Sequence, residues 1–316
     1  MFKIYHSMIL KDSRPILVYS QVIGNNDVIA SKERKMKVGC FALIDPFSTL
    51  DHQLQRIEDM GFKYADVTDS HPGSSLGRDY GFAATASLDG NPMDLKRMFD
   101  QHGLTATTVC AHATLLDPVS PSRFGTHEIS KAIMLASGMG VEHVITTEGH
   151  PQTDWAEQLS FGEKVLVVAE KLYEPVRLAA DMGVRLLLEP HGPLTDTKEG
   201  LEALIDKLGD PASLGINLDT GNSWLGGSDP VELAKAFKDR IYHIHWKDLP
   251  AEWEEKRGKM WGCGMAVSAL GDGVIDIAGV FKVLKDAPHV EYSTLEVAGD
   301  DNVKKSYEYL KSLGAE

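Results

Sequence analysis

Residues 161–192 read FGEKVLVVAEKLYEPVRLAADMGVRLLLEPHG. An amphipathic helix over Phe161–Met182 is closed by Gly183, the residue type that most readily takes the left-handed turn ending a helix. A short β-rich run, Val184–Leu188, follows at once and ends on a charged residue, Glu189. The same order recurs upstream. Thr49–Met60 is closed by Gly61 before Lys63–Thr68, Pro92–His102 by Gly103 before Leu104–Ala111, and Thr126–Met139 by Gly140 before Val141–Thr147. Lys37–Leu43 precedes these units. Downstream lie a helix over Thr197–Leu208, runs at Leu214–Leu218, Ile241–His245 and Val290–Leu295, and a closing helix over Val303–Leu313. Strands alternating with helices imply βαβ units and a parallel sheet, and eight units in about 280 residues match a (β/α)8 TIM barrel. A doubly wound sheet would place a glycine-rich phosphate turn after its first strand, and Phe41-Ala42-Leu43-Ile44-Asp45-Pro46 is not one.

The chain has 316 residues, 43% hydrophobic and 25% charged, enough for one large core. Residues 1–35 differ in character from the rest and are expected to form an extension outside a single barrel domain spanning 36–316. A formal net charge of −14 disfavours a phosphate backbone as partner, and the one basic cluster, Lys32-Glu33-Arg34-Lys35, includes an acid. Cys40, Cys110 and Cys263 are too scattered for a disulfide framework or a thiolate metal site, and read as reduced thiols of a cytoplasmic protein. No apolar run reaches membrane-spanning length, and Pro15–Ile23 lacks the cleavage site of a secretory signal. Two connections, Asp69–Asn91 and Lys247–Gly273, are longer than a barrel requires. Both follow strand C-termini, the face where barrel active sites lie, and are expected to act as lids.

Polar residues at the C-terminal ends of apolar strands carry the chemistry. Glu189 ends the fifth run, Asp219 the sixth, His245 the seventh and Glu296 the eighth. Any one of these acids is explained equally well as a helix N-cap or a loop ion pair. All four at equivalent positions of consecutive strands point to a shared ligand. Carboxylates so close would repel one another and be driven towards protonation, which a divalent cation prevents. Three carboxylates with one imidazole suit Mn²⁺ first, with Mg²⁺ or Co²⁺ as alternatives.

Leu218-Asp219-Thr220-Gly221-Asn222 and His243-Ile244-His245-Trp246-Lys247-Asp248, together with the four strand ends, resemble the xylose isomerase-like TIM barrel superfamily, that of the sugar phosphate isomerases and epimerases. The resemblance spans residues 37–313. It implies one metal ion held by Glu189, Asp219, His245 and Glu296, with the two glutamates also moving protons. The activity implied is isomerisation or epimerisation of a small sugar or sugar derivative through a cis-enediolate. Around that set, His191 is a further base or hydroxyl contact. His112, Glu148 and His150 bind sugar hydroxyls or form a supporting network. Asn222 and Lys247 contact substrate, unless Lys247 pairs with Asp248. Trp246 and Trp224 wall a sugar face or pack at the rim, and Phe41 belongs to the core.

Departures from the epimerase pattern at Thr195, Ala251 and Asn222 leave a metal-dependent lyase as the alternative. That lyase would be a dehydratase, or the barrel subunit of a C-glycoside deglycosidase acting on 3-keto-glycosides with a small partner subunit. A non-catalytic carbohydrate-binding barrel is the remaining option. The resemblance otherwise implies a small carbohydrate substrate and a homo-oligomer.

Overall fold

The computed structural model describes residues 35–45, 47–68, 83, 86–118, 124–264 and 267–316. The expected N-terminal extension and most of the 69–91 connection lie outside the described residues. The strands are β1 (Lys37–Phe41), β2 (Tyr64–Val67), β3 (Thr105–Ala111), β4 (His143–Thr147), β5 (Arg185–Glu189), β6 (Leu214–Asp219), β7 (Ile241–Trp246) and β8 (Tyr292–Leu295). Each pairs in parallel with the next, and β8 returns to β1 with Lys37 opposite Tyr292 and Cys40 opposite Leu295, closing the barrel. The helices are α1 (Leu50–Asp59), α2 (Pro92–Gln101), α3 (Phe124–Met139), α4 (Asp154–Gln158), α5 (Phe161–Met182), α6 (Lys198–Lys207), α7 (Thr220–Leu225), α8 (Pro230–Ala236), α9 (Ile277–Leu284) and α10 (Asp300–Leu313), with a 3₁₀ turn at Ala251–Lys256.

Local chemistry sets the boundaries of these elements. Helix α5 opens on a capping box in which Ser160 and Glu163 each bond the other's backbone N–H, two donors that the helix itself leaves unpaired. It closes at Gly183, φ 68°, whose N–H reaches back to the carbonyls of Ala179 and Ala180. Strands β5, β6 and β7 run one residue further than their apolar patterns predict. Glu189 is paired with Thr147, and Asp219 with His245, within the sheet ladder itself. Three of the four strand-end residues are therefore fixed by the sheet rather than carried on loops. Glu296 follows β8 directly, its N–H bonded to the Trp246 carbonyl.

Alternation along the strands divides the core into two layers. Leu186 and Leu188 face outward to the helices, in the same cluster as Leu172 of α5 and Leu204 of α6. Leu187 faces the barrel axis with Phe41, Leu43, Cys110 and Ile145. Glu189, two residues on, shares that inward direction. Strand β7 breaks the alternation. Ile216 of β6 lies opposite Ile241 and Asn217 opposite His243, so Tyr242 is an extra residue in the ladder. This bulge lets Tyr242 pack on the inner cluster while His243 and His245 also point into the barrel.

The barrel wall leaves little slack. A Cβ at Gly39 of β1 would fall 2.7 Å from the Tyr64 carbonyl oxygen and 3.0 Å from Thr294 Cγ2. Gly39→Ala is expected to destabilise the protein by about 1–3 kcal/mol through overpacking, read as a lower urea midpoint with an unchanged slope.

Candidate metal centre and active site

At the C-terminal end of the barrel, Glu189, Asp219, His245 and Glu296 present ligand atoms that all lie within 4.8 Å of one another, and all four residues are buried. His245 Nδ1 is 3.1 Å from Glu189 Oε2 and 3.2 Å from Glu296 Oε2. Lys247 Nζ lies 2.9 Å from Asp219 Oδ2 and 2.7 Å from Glu296 Oε1. Asp219 serves two purposes. Its Oδ1 accepts from the Asn222 N–H as the N-cap of α7, and its Oδ2 turns to the centre.

The electrostatics follow from crowding without water. Burial works against ionising Glu189, but His245, His112 and Lys247 overcome it and hold the carboxyl below its usual range. Burial likewise opposes ionising Glu296, and Lys247 and His245 again lower the net value. Burial pushes Asp219 up to about 7; Lys247 opposes this, while Glu296 and Glu189 add to it. Burial disfavours charge on His245, yet Glu189, Asp66 and Glu296 together raise its pKa well above that of a free imidazole.

The donor set fits a divalent cation. Asp219 Oδ2 and His245 Nδ1 are buried and make no regular hydrogen bond. Oδ2 has only its ion pair with Lys247, and an unprotonated Nδ1 would face two carboxylate oxygens, a state that a shared cation relieves. Once Asp219 and His245 give up their protons, as ligands must, the three carboxylates and the Lys247 ammonium leave two negative charges, which one divalent ion neutralises. Glu189 is already aimed. Asn222 Nδ2 donates to Oε1 at 3.1 Å, and Asn217 Nδ2 to Oε2 at 2.9 Å.

Several of the surrounding expectations change. Asn222 is committed to protein contacts, donating to Glu189 and accepting at Oδ1 from the Cys263 N–H at 3.0 Å; it positions a ligand rather than reading substrate. Lys247 pairs with Asp219 and Glu296 and not with Asp248. The Asp248 carboxylate instead accepts from the N–H groups of Leu249, Gly271, Gly273 and Ile275, tying down the base of the 247–273 connection. Glu148 does not bind hydroxyls in this arrangement. Its oxygens accept from the backbone of Leu194 at 3.0 Å and Thr195 at 2.8 Å, bracing the loop after β5. Trp246 is no sugar wall. It is the strand neighbour of inward-facing His245, so its ring is fully buried outside the barrel wall, tilted against Phe281 of α9. Trp224 is packed too, buried beneath the Arg257 guanidinium.

His191 and His112 remain beside the centre. Both act electrostatically with Glu189. Burial lowers the His191 pKa to about 4, leaving a neutral ring whose Nδ1 has no hydrogen-bond partner. Gly262 lies so close that a Cβ there would sit 2.4 Å from His191 Nε2. His150 is half-buried and is not among the residues whose ligand atoms meet. Phe41 packs edge-on against His245, with centroids 5.2 Å apart.

Three residues escaped the sequence reading: Asp66, Asn217 and His243. All are fully buried. Asn217 and His243 precede Asp219 and His245 by two positions, the spacing that puts strand residues on one face. Asp66 is an acid inside the apolar run Tyr64-Ala65-Asp66-Val67, and a charge there demands partners. Its partners are Thr107, Thr294 and His245.

The fold and site define a class: an eight-stranded parallel barrel with a carboxylate–imidazole centre at its strand C-termini. A profile of the xylose isomerase-like TIM barrel matches residues 54–313, and the chain belongs to that family. Inosose dehydratase from Clostridium perfringens is 30% identical over 188 residues, and that from Geobacillus kaustophilus 27% over 189. Each match covers 55% of this chain and about three fifths of the relative, 63% and 61% respectively. Among solved structures, a D-tagatose 3-epimerase-like protein superposes with a TM-score of 0.69 at 22% identity, covering 88% of this chain and 97% of the other. The IolI protein with a bound zinc atom superposes at 0.67 and 16% identity, covering 88% and 98%. At such identities these structures establish a shared fold. No helix among the described residues is long and apolar enough to cross a membrane.

The brace at Glu148 titrates in an accessible range. Burial raises its pKa to about 7, against the opposing backbone bonds from Thr195 and Leu194. A raised carboxyl pKa favours the fold while protonated, so the contribution is complete below the unfolded value of about 4.5 and is lost as pH rises through about 7. Relative to Glu148→Gln, wild-type stability should fall by on the order of 2–3 kcal/mol between about pH 5 and pH 8, measured by urea unfolding of both proteins. An unchanged difference would remove this role from Glu148.

Proposed function

We propose that this chain is a divalent-metal-dependent enzyme that removes the proton beside a ketone in a small polyol or sugar derivative, the reaction continuing as loss of water. The observation carrying this reading is the convergence of two glutamates, an aspartate and a histidine on one buried point, with two of their donor atoms lacking hydrogen bonds. A divalent cation bound there, Mn²⁺ by the donor set, supplies Lewis acidity that makes the C–H beside the ketone more acidic.

The chain's own residues do the rest. Glu189 is locked by Asn217 and Asn222, so its carboxylate meets substrate in one orientation. Glu296 is held ionised by Lys247 and is the second carboxylate able to take or return a proton. His191, neutral at the site's edge, can accept a hydrogen bond from a substrate hydroxyl. In the elimination, a carboxylate takes the C–H proton, the freed pair forms a carbon–carbon double bond, and the protonated carboxylate gives its proton to the hydroxyl on the next carbon, which leaves as water. The likeness to inosose dehydratases supports that outcome. Isomerisation or epimerisation is the second reading. It is favoured by the two carboxylates at one centre, which suit removal and return of a proton at one carbon or its neighbour.

Inososes, ketoses and 3-keto-glycosides incubated with the Mn²⁺-loaded protein in D2O separate these outcomes by NMR and mass. Elimination yields a product lighter by one water, whereas isomerisation or epimerisation conserves the skeleton and introduces deuterium. Glu189→Gln and Glu296→Gln should each lower turnover by about 10²–10⁴-fold, and full activity in either would break the two-carboxylate scheme. Fewer than about one ion per ten chains after Mn²⁺ incubation would sink the metal reading, since a fitted site of this kind binds at near-stoichiometric levels. Mn²⁺ should bind more tightly at pH 8 than at pH 6 with release of protons, because Asp219, raised to about 7, and His245 both hold protons that the ion must displace. Calorimetry in two buffers measures this, and a pH-independent affinity would count against it.

A further inference from the structure

We propose that Asp66 sets the tautomer of His245, so that Nδ1 and not Nε2 faces the metal, while Asn217, backed by His243, orients Glu189. This rests on the metal centre proposed above and adds to it a set of positioning residues below the four ligands.

The assignment follows from what each group can donate or accept. The Glu189 carboxylate only accepts, so Asn217 must present its Nδ2 amide to Oε2, 2.9 Å away. That turns Asn217 Oδ1 towards His243 Nδ1 at 3.0 Å, and His243 must donate there. The remaining His243 nitrogen, Nε2, is buried without a hydrogen-bond partner and lies 3.7 Å from Asp66 Oδ1, too far for a hydrogen bond. His243 therefore leaves the Asp66 carboxylate to others. Thr107 donates to Oδ1, and Thr294 donates to Oδ2 at 2.7 Å. His245 Nε2 lies 2.8 Å from the same Oδ2, where only an N–H is compatible with a carboxylate. With its proton committed to Asp66, a neutral His245 carries its lone pair on Nδ1, between Glu189 Oε2 and Glu296 Oε2. Two separate sets of hydrogen bonds result: Glu189 is held through Asn217 to His243, and His245 is held by Asp66, with His245 Nδ1 meeting Glu189 at 3.1 Å. Two ligands from different strands are thus oriented from below, Glu189 by Asn217 and His245 by Asp66.

The same geometry allows a rival arrangement. Asp66, His243 and His245 themselves bring ligand atoms within 4.8 Å, so an ion could instead sit beneath the centre on His245 Nε2. ¹⁵N spectra of histidine-labelled, Zn²⁺-loaded wild-type protein decide between them, with the His245 signals identified by their loss in His245→Asn. The expected result is a proton on Nε2 and metal on Nδ1; metal on Nε2 would overturn the proposal. Mn²⁺ affinity supplies the second measurement. Asp66→Ala should weaken binding by about 10–100-fold, with a smaller loss in Asp66→Asn, whose amide oxygen can still accept from Nε2–H. Wild-type affinity in folded Asp66→Ala, which has no acceptor for Nε2–H, would also overturn it. Should Asp66→Ala not fold, the wild-type spectra carry the test. Wild-type protein that takes up no Mn²⁺ would instead defeat the metal-enzyme reading itself, an outcome distinct from either of these.

Discussion

Three carboxylates held together out of water are the constraint on which the C-terminal face of this barrel depends. Glu189, Asp219 and Glu296 cannot share a buried point as bare anions, because each raises the free energy of the others. Around them the chain supplies the Lys247 ammonium, the His245 imidazole, and side-chain amides from Asn217 and Asn222. Nearly every polar residue on the inner surface of β5 to β8 is committed to this balance. With Asp219 ionised and His245 neutral, the centre carries two negative charges that Lys247 does not offset, which is what makes a divalent cation the natural complement.

The surrounding loops serve the same end by fixing geometry. Glu148 gathers the backbone of Leu194 and Thr195, and the His191 N–H is held by Thr195 Oγ1. Asp248 gathers four amides at the base of the 247–273 connection, whose further course reaches the site through Cys263 and Gly262. Asn222 is the junction, touching Glu189 on one side and Cys263 on the other. The described part of this connection is thus joined to the candidate ligands through Asn222.

Much of this was legible in the residues, and the limits are instructive. Helix-closing glycines followed by β-rich runs led to a barrel because each unit is local: capping, periodicity and strand propensity act within about twenty residues. The four strand-end residues stood out because a polar residue ending an apolar run is visible without knowing its partners. The choice between a sugar wall and packing for Trp246 is not legible in sequence, because facing depends on register. An aromatic adjacent to a ligand on a strand points to the opposite side, and the bulge at Tyr242 that orients β7 has no clear mark in Ile241-Tyr242-His243-Ile244-His245. The contacts of Asn222, Lys247 and Glu148 are not legible in their own segments, because their partners lie between 28 and 49 positions away in sequence.

By itself, then, the sequence determined the eight-unit barrel, the end of it that carries polar residues, and the four candidate ligands, all of which follow from short-range pattern. Only the tertiary structure decided which polar groups are spent on one another. Asp66 in β2 meets His245 in β7 across 179 positions, and Thr294 in β8 across 228. Closure of the barrel brings such residues together. Inside it, an unmatched hydrogen-bond donor or acceptor is costly, so a side chain's role is set by its neighbours across the barrel and not by its own segment.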